Sequence, residues 1–336
     1  MNSRMRRKAS LLSRVSTLAV LAAAGTLSVV QQAQAACDTT FEVPADGTTI
    51  ATNTTCVEVT ADVAGNVLND AQVGDPGAGF IPFDVYNDII GTLTNDGNIF
   101  GGYGQDGALT IRQGATITNG IVNNGVILST TGNGIQIGDG GENEGYVQNG
   151  ITNTNNIASG GGYGVAALYG SLTGGLTNQF DEQASTISGG PAAIYIADTF
   201  DSWSGGIVNY GQISGTQSAI LMGDGGEGAG DVTFSGGIFN YGTGVIDSVN
   251  GPAIRITNDV ATFSGGINNY NDIEGGTDAI IIGAGSFAGG LYNDTFATIV
   301  ANSGDAVQAQ VNSWTGDINN QGTVTATNDG FEIFGG

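Results

Sequence analysis

The chain has 336 residues, of which 31 are acidic, 7 are basic, 59 are glycine and none is histidine. Without histidine, Ser-His-Asp and Cys-His catalysis and imidazole metal sites are excluded. The acidic balance opposes binding to nucleic acid and docking on anionic lipid, both of which need Lys and Arg.

The first element is a secretory signal over residues 1–35. Arg4, Arg6, Arg7, Lys8 and Arg14 form a basic start, residues 15–30 are uncharged and largely apolar, and Ala33-Gln34-Ala35 supplies small residues for cleavage between Ala35 and Ala36. The apolar run is short for a membrane span. Arg6-Arg7 makes only a poor twin-arginine motif, and Gln34 stands where lipid attachment to Cys37 would need an aliphatic residue. Cleavage leaves Arg112 and Arg255 against all 31 acidic groups, a formal charge of −29. Cys37 and Cys56 are the only cysteines. In an exported chain they predict a disulfide. Its loop of about 20 residues is worth on the order of 3 kcal/mol. It falls in a short N-terminal cap, residues 36–60, ahead of a repeat region over 61–336.

That region is built on ten asparagines in one context: Asn69, Asn95, Asn123, Asn153, Asn178, Asn209, Asn240, Asn269, Asn293 and Asn320. Val, Leu or Ile precedes each by two positions. A large apolar residue precedes it by six: Val63, Ile89, Ile117, Val147 and Leu172, then Trp203, Phe234, Phe263, Phe287 and Trp314. The spacing runs from 24 to 31 residues, a period that marks a stacked-coil architecture. Each unit reads as three short strands. In the first, Trp203, Gly205, Ile207 and Asn209 share one face by period two. After the asparagine comes a Gly or Asn turn, then a second strand with one inward residue such as Ile213. A third strand follows the pattern small, apolar, any, apolar, as in Ala253-Ile-Arg-Ile256. The expected fold is all-β: a right-handed parallel β-helix of about ten coils, without helices. The inward asparagines are expected to bond backbone freed at the bend and to stack as an amide ladder. The aromatic row from Trp203 to Trp314 should fill the core. Tyr210, Tyr241 and Tyr270, one place after the asparagine, should form a separate row outside.

The unit Gly-Gly-Ile-x-Asn-x-Gly-x-Ile, as in residues 205–213, resembles the repeats of autotransporter passenger domains, secreted β-helices of Gram-negative bacteria. The resemblance spans about residues 60–336 and the signal. It implies export, passage through a C-terminal β-barrel, and an adhesive or aggregating role at the cell surface or outside the cell, with a surface, host or self-association partner. Some members are proteases or esterases. The alternating strands of a barrel are not in this sequence, which ends within or just after the third strand of the last copy. A truncated reading of a longer protein is therefore expected, with outer-membrane contact only through the missing barrel.

No residue set points to a reaction, so no catalytic residue is assigned and the expected function is non-enzymatic. The alternative is a polysaccharide lyase or hydrolase on a pectin-lyase-like β-helix. It would rest on Arg255, which should point outward, with Asp198 and Asp224 in neighbouring copies. Two acidic, Gly-rich loops offer oxygen ligands to Ca²⁺: Asp139, Glu142 and Glu144 in one, Asp224, Glu227 and Asp231 in the other. Solvated turns explain them as well, and no other cofactor is expected.

Overall fold

A computed structural model describes residues 40–75, 81–101, 106–139, 143–180, 185–223 and 232–335. They form a parallel β-solenoid of about nine turns with no helix among them. Four parallel sheets run along it, with 12, 8, 11 and 10 strands among the described residues. In chain order, one coil contributes Phe200–Trp203 to sheet D, Ile207–Asn209 to sheet B, Gln212–Gly215 to sheet C and Ser218–Met222 to sheet A. Apart from the end strands of each sheet, every strand pairs with its equivalent in the coils before and after, so Ile207 lies between Leu176 and Ile238, and Ile213 between Ile187 and Ile246.

The coil therefore has four strands, not three, because the expected first strand is bent in two. Gly205 and Gly206 have φ of 95° and 75°, left-handed values that L side chains resist. The period-two alternation stops there: Trp203 and Ile207 are buried, but Gly205 is exposed at the corner instead of sharing their face. The corner also stacks backbone on backbone. A Cβ on Gly206 would lie 2.5 Å from the carbonyl oxygen of Gly237.

The interior is one continuous cluster of apolar side chains. Sheet C sends in a column of isoleucines from Ile99 to Ile299, and sheet A two residues per strand, such as Ile254 and Ile256. Sheet D sends in the large residue, aliphatic up to Leu172 and aromatic from Trp203. Phe263 packs between Phe234 and Phe287 at centroid distances of 4.8 and 5.0 Å, nearly parallel to both. Trp203 satisfies its indole N–H on the carbonyl of Gly206, at 3.1 Å, so the ring is buried without an orphaned donor.

The asparagines close the corner between sheets B and C. Nine hydrogen bonds of 2.7–2.9 Å link all ten, each Nδ2 donating to the Oδ1 of the next coil. The same Nδ2 groups also donate to the carbonyl that opens the next coil's sheet C strand, as Asn209 does to Val245 and Asn269 to Thr298. One side chain thus satisfies backbone freed by the bend and sets coil-to-coil register.

The segment expected as a separate cap supplies strands of the same kind. Thr40–Glu42 and Cys56–Val59 open sheet A, and Thr48–Ile50 opens sheet B. Cys56 is buried and disulfide-bonded. Cys37, Ala35, Ala36 and the rest of the signal lie outside the described residues.

Candidate functional site

With the interior filled by ladders, reactive or adhesive groups must lie outside. Three outer features stand out, and the first was not foreseen from sequence. Asp84 is the outward residue of Phe83–Val85 in sheet A. Arg112 follows the next coil's strand, Gly107–Ile111, and its Nε donates to Asp84 Oδ1 at 2.8 Å. Asp139 and Asp106 lie 3.5 and 3.7 Å from the same guanidinium, and the Tyr86 ring centroid is 5.6 Å from its Cζ. Three carboxylates thus surround one cation. Asp84 is only 4% exposed. Burial pushes its pKa up to about 6, against the pull of the Arg112 charge and of hydrogen bonds from Tyr86 and Arg112. Burial also raises Asp106, and burial with the hydrogen bond to Asp84 lifts Tyr86 to about 12. The signal for this cluster was the alternation in Phe83-Asp84-Val85, which sets an acid on the outer face one register step from the strand that Arg112 follows.

Asp139 and Glu144, two of the expected Ca²⁺ ligands, are already engaged. Asp139 accepts from Asn143 Nδ2 through both oxygens, at 2.9 and 3.1 Å, as well as facing Arg112. Glu144 accepts from the Tyr146 hydroxyl. Glu142, Asp224, Glu227 and Asp231 lie outside the described residues. Among the described residues, no three acidic or cysteine side chains gather where they could hold a metal ion.

The second feature is aromatic and half-exposed. Tyr210, Tyr241 and Tyr270 stack along the outside with centroids 5.4 and 4.9 Å apart. Two residues not expected there join them. Phe239 lies 5.7 Å from Tyr241, nearly parallel, and Tyr292 is tilted against Tyr270 at 5.4 Å. Both are the middle residue of a sheet B strand, Ile238–Asn240 and Leu291–Asn293, which the register turns outward. Tyr210 is 38% exposed and the other four rings are half-buried. Burial, then the neighbouring Tyr270 and Tyr210, raises the Tyr241 pKa. A hydrogen bond of 2.6 Å to Asp294 is the main cause of the rise at Tyr292.

The third feature is Arg255, outward and exposed in the middle of Ile254–Ile256. Among the described residues no carboxylate lies within ion-pair distance of it, since the ion pairs are all made by Arg112. Asp198 follows the sheet A strand Ala192–Ile196 two coils earlier, and Asp224 lies outside the described residues.

Comparison with protein-family models, with curated proteins and with solved structures found no match. The resemblance to autotransporter passengers therefore rests on the repeat residues and on the solenoid itself.

Proposed function

We propose that this chain is a non-enzymatic, exported β-helix, the passenger-like part of a surface or secreted protein, that holds side chains outward for adhesion or self-aggregation. The observation that carries this reading is the outer stack of Tyr210, Phe239, Tyr241, Tyr270 and Tyr292. Large contiguous apolar patches on a surface mark interaction sites, and this stack gathers five rings on one outer face. Its rings are pre-ordered by stacking, so little side-chain entropy is lost on contact. The sealed interior and the signal-like residues 1–35 agree with a scaffold built for display. Beads coated with the mature chain test it. Attachment to cells or bead-to-bead clumping should fall at least several-fold in the Tyr241→Ser/Tyr270→Ser variant, with the melting temperature little changed. Undiminished attachment by a folded variant would sink the reading.

A second reading, polysaccharide hydrolysis, is favoured by one observation: two carboxylates, Asp84 and Asp106, face the same Arg112, and burial raises the pKa of both, a pairing of the kind glycoside cleavage uses. The burial of Asp84 and its bond to Arg112 oppose it, because a proton donor must reach a glycosidic oxygen. Incubating the mature chain with acidic polysaccharides, with and without Ca²⁺, separates the readings. Reducing ends that appear with the native chain and not with Asp84→Asn would replace the adhesive reading by the enzymatic one.

A further inference from the structure

On the outer face of sheet A, Arg255 stands in a groove of about 670 Å³ whose walls include Asn258, Ile281, Gln310 and Asn312. We propose that this groove binds a single carboxylate-bearing sugar unit within an otherwise neutral glycan. The proposal names a partner class for the adhesive reading and rests on that reading for its use.

The cation comes first. The mature chain holds two basic residues. Arg112 is surrounded by three carboxylates, whereas Arg255 is exposed and makes no ion pair with any described residue. A guanidinium is a planar fork that matches a carboxylate with two parallel hydrogen bonds. In a chain with so few cations, an exposed arginine in a concavity, with no ion pair to a described residue, is a directed anion site. The formal charge of −29 sets the valence of that anion. A densely charged polyanion would be repelled along the whole rod, while one carboxylate on a neutral chain meets its partner at low electrostatic cost.

The rest of the groove favours sugar over peptide. Ile281 is the direct register partner of Arg255, one inter-strand spacing of roughly 4.8 Å away, and it is half-exposed. It gives an apolar floor for the C–H face of a pyranose whose carboxylate lies on Arg255. Asn258, Gln310 and Asn312 are exposed, and their side chains make no hydrogen bond to a described residue, so their amides are available to sugar hydroxyls. A peptide docking by strand addition would need a free sheet edge. The strand bearing Arg255 has none, because it is paired on both sides, with Ser218–Met222 and Ile280–Ile282.

Calorimetry on the full mature chain tests this, with a disaccharide of glucuronic acid linked to glucose as the probe. The expected result is saturable binding that weakens at least ten-fold for the methyl ester of the probe and for the neutral disaccharide. Arg255→Gln should weaken it as much, Arg255→Lys less, and Ile281→Asn several-fold. Arg255 is exposed, so its variants should melt like the native chain; the methyl-ester comparison needs no variant. Equal binding of acid and ester, unchanged affinity in Arg255→Gln, or no binding of the acid would each overturn the proposal. A short Glu-containing peptide that bound as tightly as the sugar acid would give the groove to peptides and overturn it too. Failed binding with tyrosine-dependent bead attachment intact removes the groove alone. Intact binding with attachment unaffected by the tyrosines removes the adhesive reading instead.

Discussion

Replacing Asn209 tests the ladder where it is most enclosed. Asn209 Nδ2 donates to Asn240 Oδ1 at 2.9 Å, to the Gly211 carbonyl at 3.0 Å and to the Val245 carbonyl at 3.1 Å. Its Oδ1 accepts from Asn178 Nδ2 at 2.8 Å. Asn209→Ala removes all four bonds. Asn178 keeps the Gln212 carbonyl at 3.1 Å, but Asn240 Oδ1 loses its ladder donor inside the coil. A buried acceptor left without a donor costs about 1–3 kcal/mol, and each bond lost about 1 kcal/mol net. The amide's two hydrogens count as two donated bonds, so with the accepted bond and the orphaned oxygen the expected destabilisation is about 4–6 kcal/mol. Asn320→Ala is the control: this residue is exposed and accepts one ladder bond, from Asn293 at 2.8 Å, so its loss should cost under about 1 kcal/mol. Asn209→Asp keeps the shape and removes the donors. Its carboxylate would face Asn240 Oδ1 and two carbonyls, so near neutral pH it should cost more than alanine. If Asn240 turned over to relieve it, its own bond to Asn269 at 2.9 Å would break and pass the mismatch to the next coil. Such a carboxyl has its folded-state pKa raised, so the penalty grows as pH rises and the gap to alanine should shrink toward pH 4. Urea unfolding of the mature chain measures all three variants. Equal costs for Asn209→Ala and Asn320→Ala, or an aspartate as stable as asparagine at pH 7, would refute the ladder as a source of stability.

Gly206→Ala combines φ of 75° with a Cβ 2.5 Å from the Gly237 oxygen and should cost more than about 2 kcal/mol; Gly114→Ala, with φ of 83° and nothing within 4 Å, should cost about 1 kcal/mol, and thermal melting compares them. Phe263→Ala, inside the aromatic column, should cost about 3–5 kcal/mol by denaturant unfolding. Asp84 has its folded-state pKa raised from 3.8 to about 6, so its contribution to stability is fully present below about pH 4 and is lost as pH rises through about 6. The wild-type chain should lose up to about 3 kcal/mol from this group between those limits, and Asp84→Asn should flatten that part of the pH–stability profile. An unchanged profile in the variant would assign the effect to other carboxylates.

The sequence made the interior legible because the interior repeats. Asn at a fixed offset from Ile, and a large residue six places earlier, are demands of a narrow core that every coil must meet, so counting positions was enough to orient them. The Gly205-Gly206 corner was misread because period two and a bend look alike across seven residues: Trp203, Ile207 and Asn209 remain buried whether the chain runs straight or turns. The outer features were hidden for the opposite reason. Arg112 meets Asp84 and Asp139 across 28 and 27 residues, a contact set by loops that no repeat template describes. Phe239 and Tyr292 were readable in principle, as the middle residue of Ile-x-Asn or Leu-x-Asn, but single aromatics in variable positions carry no periodic signal.

The corner between sheets A and D varies in length from coil to coil, and one outer rank of sheet A holds both a buried cluster and an open groove. Asp84, Thr110 and Gln136 are register partners on that rank and are all buried. Gln136 is fixed from the side, accepting from Asn133 at 2.8 Å and donating to the Gly138 carbonyl at 3.0 Å. The corner that follows this strand spans 138–144 and brings in Asp139, which meets Arg112 from the neighbouring coil. Further along, the corner varies: 168–169, 197–199 and 223–231, then 257–259, 283–285 and 312 alone. Arg255 and Ile281, beside 257–259 and 283–285, are open to solvent, whereas Ala166 and Tyr195 are buried beside corners just as short, so corner length acts together with the side chains of the rank itself. The coil interior cannot change without breaking the ladders, whereas corner length can change freely, since each added residue costs little loop entropy. Gly283 and Gly285 line the Arg255 groove, so lengthening 283–285 by a few glycines should abolish the calorimetric binding of the sugar acid while leaving the unfolding free energy nearly unchanged.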